Sequence, residues 1–315
     1  MVLASFVLEQ RLPRLNHLSV FHQHAQHFER CLGGDFVHQL HRFHDAQSLT
    51  GADLLAGGAN NDTYVYDGTA DTFVEQEGQG TDTVHASASY TLPSTSIENV
   101  TLMGHDSDPA LDADLAVTGN SRANILIGNA GDNTIDGAGG NDSLIGGDGD
   151  DVYYVDATGD TVTEGTGPDS GTDRIISSVS IGAAGLFANV EILELSGTSA
   201  LYGGGNDLDN ILIGNSGANT LEGRGGNDIY VIDATDTVNE AGNSGNDTIR
   251  IDASYTLTQV AVENLELLGT ANWSGTGNGI NNRITGNAGA NTLNGASGDG
   301  HLMGLRIGRP RIESD

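Results

Sequence analysis

The chain has 315 residues, 46 of them Gly and 5 Pro, with 43 acidic residues against 12 basic ones and a formal net charge of −31. Every basic residue is Arg, because the sequence holds no Lys, and such a surface repels nucleic acid and anionic lipid, which need cationic side chains to release counterions. Glycine at this level without a three-residue period excludes collagen and points to disorder or to a turn-rich repeat, while Cys31, the only cysteine, excludes an intramolecular disulfide.

Residues 1–47 form a distinct segment, with seven of the ten His and four of the twelve Arg. The apolar run at residues 1–8 has no basic residue before it and makes a poor secretory signal. His22, His24 and His27, then His38, His41 and His44, are spaced to share a helical face, and Leu18, Phe21, Ala25, Phe28 and Leu32 follow a helical stripe ended by Gly33-Gly34. No Cys or carboxylate completes a metal site there, so the expectation is a disordered or helical cap. No apolar run reaches the 18 or so residues of a membrane span.

Residues 48–303 repeat. Twelve nine-residue units start at 48 and 57; at 119, 128, 137 and 146; at 205, 214 and 223; and at 277, 286 and 295. They make arrays 48–65, 119–154, 205–231 and 277–303. Position 1 is Gly in eleven of the twelve, and position 8 is apolar or aromatic in all, from Leu55 and Tyr64 to Leu293 and Leu302. Position 6 is Asp at 53, 62, 142, 151 and 228, Asn at 124, 133, 210, 219, 282 and 291, and Gly at 300. The Gly-rich half is a turn, since Gly serves where φ must be positive and is costly in strand or helix. The other half places one apolar side chain between two outward neighbours, a three-residue strand. Two units make one coil, unit n stacks on unit n+2, and coils must stack to bury their apolar faces.

A longer period lies above this one. Asp71-Thr72-Phe73-Val74-Glu75, Asp160-Thr161-Val162-Thr163-Glu164 and Asp236-Thr237-Val238-Asn239-Glu240 each follow an array. Gly80-Thr81-Asp82, Gly171-Thr172-Asp173 and Gly245-Asn246-Asp247 come next, then Ile97-Glu98-Asn99, Val190-Glu191-Ile192 and Val262-Glu263-Asn264. These spacers read as further strands that continue the solenoid as wider coils. The end, 304–315, is a short basic tail with Arg306, Arg309 and Arg311.

The units resemble the repeats-in-toxin, or haemolysin-type, calcium-binding repeat, G-G-x-G-x-D-x-U-x, with 137–145 and 146–154 the best matches. The resemblance implies an all-β fold, a right-handed parallel β-roll or β-helix solenoid, with Ca²⁺ in the turns. It further implies a bacterial, secreted, extracellular protein exported by type I secretion machinery. Calcium takes six to eight oxygens from carboxylates and carbonyls. The expected ligands are Asp142 and Asp151, aided by Asp148, Asp150, Gly140, Gly147 and Gly149, with Asp62, Asp228 and Asp53 as weaker candidates. Two carboxylates about 5 Å apart repel by ~3 kcal/mol at an effective dielectric of 20, and a bound cation turns that repulsion into a cross-link. The strongest site is expected at the junction of units 137–145 and 146–154. Where Asn replaces Asp, the amide offers a carbonyl oxygen or stacks as a ladder that needs no metal.

Catalytic motifs are missing. There is no H-E-x-x-H helix, no G-x-S-x-G elbow and no P-loop. The reading is a non-enzymatic calcium-binding rod. The alternatives are the repeat-bearing fragment of a secreted hydrolase, lyase or toxin, and a surface adhesin or S-layer-like protein with a cell-surface or polysaccharide partner.

Overall fold

A computed structural model describes residues 54–304, apart from 69–70, 94–95, 105–111, 168, 183–186, 241–244, 259–260 and 299. The His-rich segment 1–47, Asp53 and the basic tail from 305 lie outside the described residues.

Among the described residues there are 26 strands, each of two to four residues, and no helix. Every pairing between them is parallel. Strand Ile125–Ile127 pairs with Ser143–Ile145 so that Leu126 faces Leu144, and Thr134–Asp136 pairs with Val152–Val155 so that Ile135 faces Tyr153. Equivalent residues are thus 18 apart, which makes a coil two nonapeptides. From Thr83–Ala86 to Thr161–Thr163, consecutive strands fall alternately on a six-stranded and a twelve-stranded sheet. Beyond strand Thr161–Thr163, where the six-stranded sheet ends, that side continues through a bridge between Ile181 and Gly203 into two three-stranded pieces. The whole is a parallel β-solenoid of about 13 turns.

The spacers belong to the same stack. Arg174–Ser177 pairs with Val152–Val155, and Ile192–Leu195 pairs with Arg174–Ser177. Spacer strands such as Thr83–Ala86, Asn99–Leu102, Thr248–Ile251 and Asn264–Leu267 have four residues and alternate half-buried with buried. Each sends two side chains inward where a three-residue nonapeptide strand such as Ser143–Ile145 sends one.

The core is a column of position-8 side chains. Leu126, Ile135, Leu144, Tyr153, Leu212, Leu221, Tyr230 and Ile284 are fully buried. Each such burial contributes about 1.5–3 kcal/mol, and it is available only when coils lie on both sides. Leu55, Leu293 and Leu302, near the ends of the described stack, are correspondingly only partly buried. No helix of the described residues is long and apolar enough to cross a membrane.

Candidate metal centre

Position 6 ends each turn, immediately before the strand, and its side chain points into the coil. Asn and Asp use that placement differently. Asn124, Asn133, Asn210, Asn219 and Asn282 each accept, on Oδ1, the backbone N–H four residues earlier, at 2.7–2.8 Å. The Nδ2 of Asn124 donates to Glu98 O, that of Asn210 to Val190 O and that of Asn282 to Val262 O, on the preceding coil. These amides do not stack on one another as a ladder. An amide carries both donor and acceptor, so it closes its own turn and ties it to the coil before, with no metal required.

A carboxylate has no donor and behaves otherwise. Asp142 Oδ1 accepts the N–H of Asn124 at 2.8 Å, Asp151 Oδ1 that of Asn133 at 2.7 Å, and Asp228 Oδ1 that of Asn210 at 2.8 Å. The series continues into the spacers. Asp173 Oδ1 accepts from Asp151 N and Glu191 Oε2 from Asp173 N, both at 2.9 Å. In the third long repeat the same two steps run from Asp228 to Asp247 to Glu263, and in the first from Asp62 to Asp82 to Glu98. One oxygen of each of Asp142, Asp151, Asp173 and Asp228 is thereby used. The other, Oδ2 of Asp142, Asp151, Asp173 and Asp228, is buried without a hydrogen-bond partner.

Asp142 and Asp151 do not share a site. One nonapeptide is half a coil, so their turns cross between the sheets at opposite edges, Asp142 leading into Ser143–Ile145 of the six-stranded sheet and Asp151 into Val152–Val155 of the twelve-stranded one. The expected joint site at the junction of their units is therefore absent. Asp142 is followed in its stack by Asp160, whose Oδ1 accepts Asp142 N and whose Oδ2 accepts the N–H groups of Asp156 and Ala157. Asp160 is spent on backbone. Asp151 is followed by Asp173, which is not.

The remaining expected ligands divide. Asp150 is exposed and belongs to an outer series, its N–H donating to Asp132 and its Oδ1 accepting from Thr172 N at 2.7 Å. Asp148 is exposed. Gly140, Gly147 and Gly149 have φ of 145°, 117° and 104°, the positive values that glycine tolerates in a turn. Asp62 and Asp228 stand in the same position as Asp151, and Asp53 is outside the described residues.

Three further carboxylates join them, and the spacer supplies them. Val162 pairs with Leu144, so Glu164 occupies the coil position of Gly146, position 1 of the consensus. Phe73 pairs with Leu55 and Val238 with Leu221, which puts Glu75 in the place of Gly57 and Glu240 in the place of Gly223. Position 1 faces inward: a Cβ on Gly146 would overlap Asp151 Oδ2 and the Tyr153 hydroxyl. Glu in the next coil sends a carboxylate into that space. The results are three groups, Asp62–Glu75–Asp82, Asp151–Glu164–Asp173 and Asp228–Glu240–Asp247, in each of which one oxygen per residue lies within 4.8 Å of the others. Position 8 of the unit ending each of the first three arrays is Tyr, and the hydroxyls of Tyr64, Tyr153 and Tyr230 donate to Glu75, Glu164 and Glu240. The Asp-Thr-x-x-Glu and Gly-x-Asp segments are visible in the sequence. Counting 17 or 18 residues on from the position-1 Gly identifies the Glu as inward-facing.

Burial dominates the electrostatics. It pushes the Asp151 carboxyl up to about 8, with Asn133 N–H opposing and Glu164 and Asp173 adding to the rise. Burial likewise raises Asp173, Glu164 and Asp228 to about 7 and Glu240 to about 8. Asp142 rises less, to about 6. The ion pairs Arg122–Glu77, Arg174–Glu194, Arg224–Glu222 and Arg250–Glu266 are partly exposed and include none of these carboxylates. Buried anions of this kind need a proton or a cation. The donors are all oxygen, which suits a hard divalent cation and not a thiophilic one. The turns and their carboxylates therefore fit Ca²⁺.

Compared with known families, the chain matches the RTX calcium-binding nonapeptide repeat in four stretches, residues 47–73, 118–153, 203–232 and 276–304. A comparison with curated proteins gives no significant match.

Proposed function

For a chain that carries RTX calcium-binding repeats in four stretches, we propose a secreted module that folds into a rod when calcium enters its turns. The observation that carries this reading is the buried, partnerless Oδ2 of Asp142, Asp151 and Asp228 at the consensus position. In calcium-poor cytosol the −32 charge of residues 48–300 opposes compaction, so the chain stays unfolded and fit for export. Outside the cell, calcium neutralises the turns and coils stack. The family resemblance supports a bacterial extracellular location and a type I export route. In this reading the repeats serve as a scaffold and perform no catalysis, residues 48–303 fold as one unit, and 1–47 and 304–315 are appendages.

Far-UV circular dichroism in EDTA and in millimolar calcium tests the proposal. The expected result is a largely disordered chain that gains β-structure on calcium addition. Equal β-content in both conditions would remove calcium-driven folding from the account.

A further inference from the structure

We propose that the three Asp–Glu–Asp groups are calcium sites of a second kind, one per long repeat, in which the spacer's own carboxylates complete the last turn of the array. This rests on the calcium reading above and adds to it Glu75, Glu164 and Glu240, together with Asp82, Asp173 and Asp247, as ligands outside the nonapeptide consensus.

Three observations converge. First, the geometry has the scale of one ion: calcium–oxygen distances of about 2.4 Å put opposed ligands roughly 5 Å apart, and the three ligand oxygens of each group lie within 4.8 Å of one another. Second, the groups at Asp151 and Asp228 are interior. Asp151 and Asp173 are 0 % exposed and Asp228 1 %, and the Oδ2 of each has no hydrogen-bond partner. Third, the sequence changes together at the array ends that bear these groups. Tyr replaces an aliphatic residue at position 8 of the closing unit, Glu replaces Gly one coil later, and Asp recurs at the position-6 place of the spacer. The array 277–303 closes on Gly300 and Leu302, and no such group is found there among the described residues.

The arrangement differs from a consensus turn pair in charge. An Asn–Asp stack such as Asn124–Asp142 brings one carboxylate, whereas each Asp–Glu–Asp group brings three. Ligand charge count tunes calcium affinity, so these three sites fill first. Because array 119–154 carries four units, the first group lies on the edge leading into the six-stranded sheet and the other two on the edge leading into the twelve-stranded sheet. Calcium thus fastens spacer to array at both edges of the solenoid.

The test is calorimetric titration of the whole chain with CaCl₂, beside terbium luminescence excited through tyrosine, since Tyr64, Tyr153 and Tyr230 each touch one group. Wild type is expected to show a tight phase of three ions, one per group. Glu164→Gln, which keeps shape and the acceptor for the Tyr153 hydroxyl, is expected to weaken one of the three at least ~10-fold and to cost about a third of the terbium signal. Asn219→Ala is expected to leave the tight phase intact. Should Glu164→Gln fail to fold, the milder Asp173→Asn reports on the same group. An unchanged three-ion phase in both Glu164→Gln and Asp173→Asn would overturn this inference and leave the calcium reading standing. No calcium uptake by wild type would overturn both.

Discussion

Asp151 donates its backbone N–H to Asp173 Oδ1 at 2.9 Å, across one coil and 22 residues of chain. A carboxylate of the spacer is thereby fixed directly above a carboxylate of the last nonapeptide, and both are fully buried. Burial and mutual repulsion make the metal-free coil costly, and a cation between them removes both penalties.

Replacing Asp151 by Asn separates these effects. Asn at this position elsewhere closes its own turn without metal, as Asn133 does. Asp151→Asn is expected to raise β-content in EDTA and to shrink the response to calcium. Asp142→Asn, whose neighbour Asp160 is already saturated by backbone N–H groups, is expected to change the calcium response less. The reverse order in paired circular dichroism titrations would contradict the assignment of the stronger site to Asp151.

Glycine at position 1 is required by space. Gly146→Ala puts a methyl group against Asp151 Oδ2 and the Tyr153 hydroxyl, and calcium affinity and stability should both fall. Gly139→Ala, whose added Cβ meets only Ser121 Cα at 3.9 Å, should be tolerated. Chemical melts of both variants in calcium check this, and equal losses would show that the inward carboxylate does not set the requirement.

Acid should stabilise the metal-free fold. Asp151 and Glu240 titrate near 8, and Asp173, Glu164 and Asp228 near 7, all above the ordinary carboxylate values they take when unfolded. The folded chain therefore binds more protons than the unfolded chain between about pH 4 and 8, and its stability falls as pH rises through that window. In EDTA, β-structure is expected at pH 5 and is expected to be lost by pH 8. Calcium should preserve it at pH 8 and, added near pH 7, should release protons. More β-structure at pH 8 than at pH 5 without calcium would contradict the sign.

The core prediction is simpler. Leu144 is fully buried between Leu126 and Val162. Leu144→Ala should cost about 2–5 kcal/mol in calcium-loaded protein, read from a urea melt if the transition is cooperative. A cost under ~0.5 kcal/mol would mean the column is not packed as described.

Position 8 and the nine-residue period made the solenoid legible, because an apolar side chain every half-coil has only one place to be buried. Leu126, Ile135 and Leu144 stand where that argument puts them. The site was less legible. Adjacency in sequence suggested that Asp142 and Asp151 would act together, yet half a coil separates them and stacking joins each to a residue 18 or 22 positions on. Glu164 reads as the end of a strand until it is counted against Gly146, since nothing in its local sequence says that it points inward. From sequence alone, the Asn side chains fit a stacked ladder or calcium ligands. A single amide satisfies its own turn and the coil before it, a choice that only three-dimensional register reveals.

Small-angle X-ray scattering with and without calcium tests the central claim most directly. About 13 turns at a spacing of about 4.8 Å make a stack roughly 60 Å long. In calcium, the account predicts the scattering of a rod with that dimension, and in EDTA the profile of an expanded, unfolded chain. A compact near-spherical particle in calcium, or the same profile in both conditions, would contradict it.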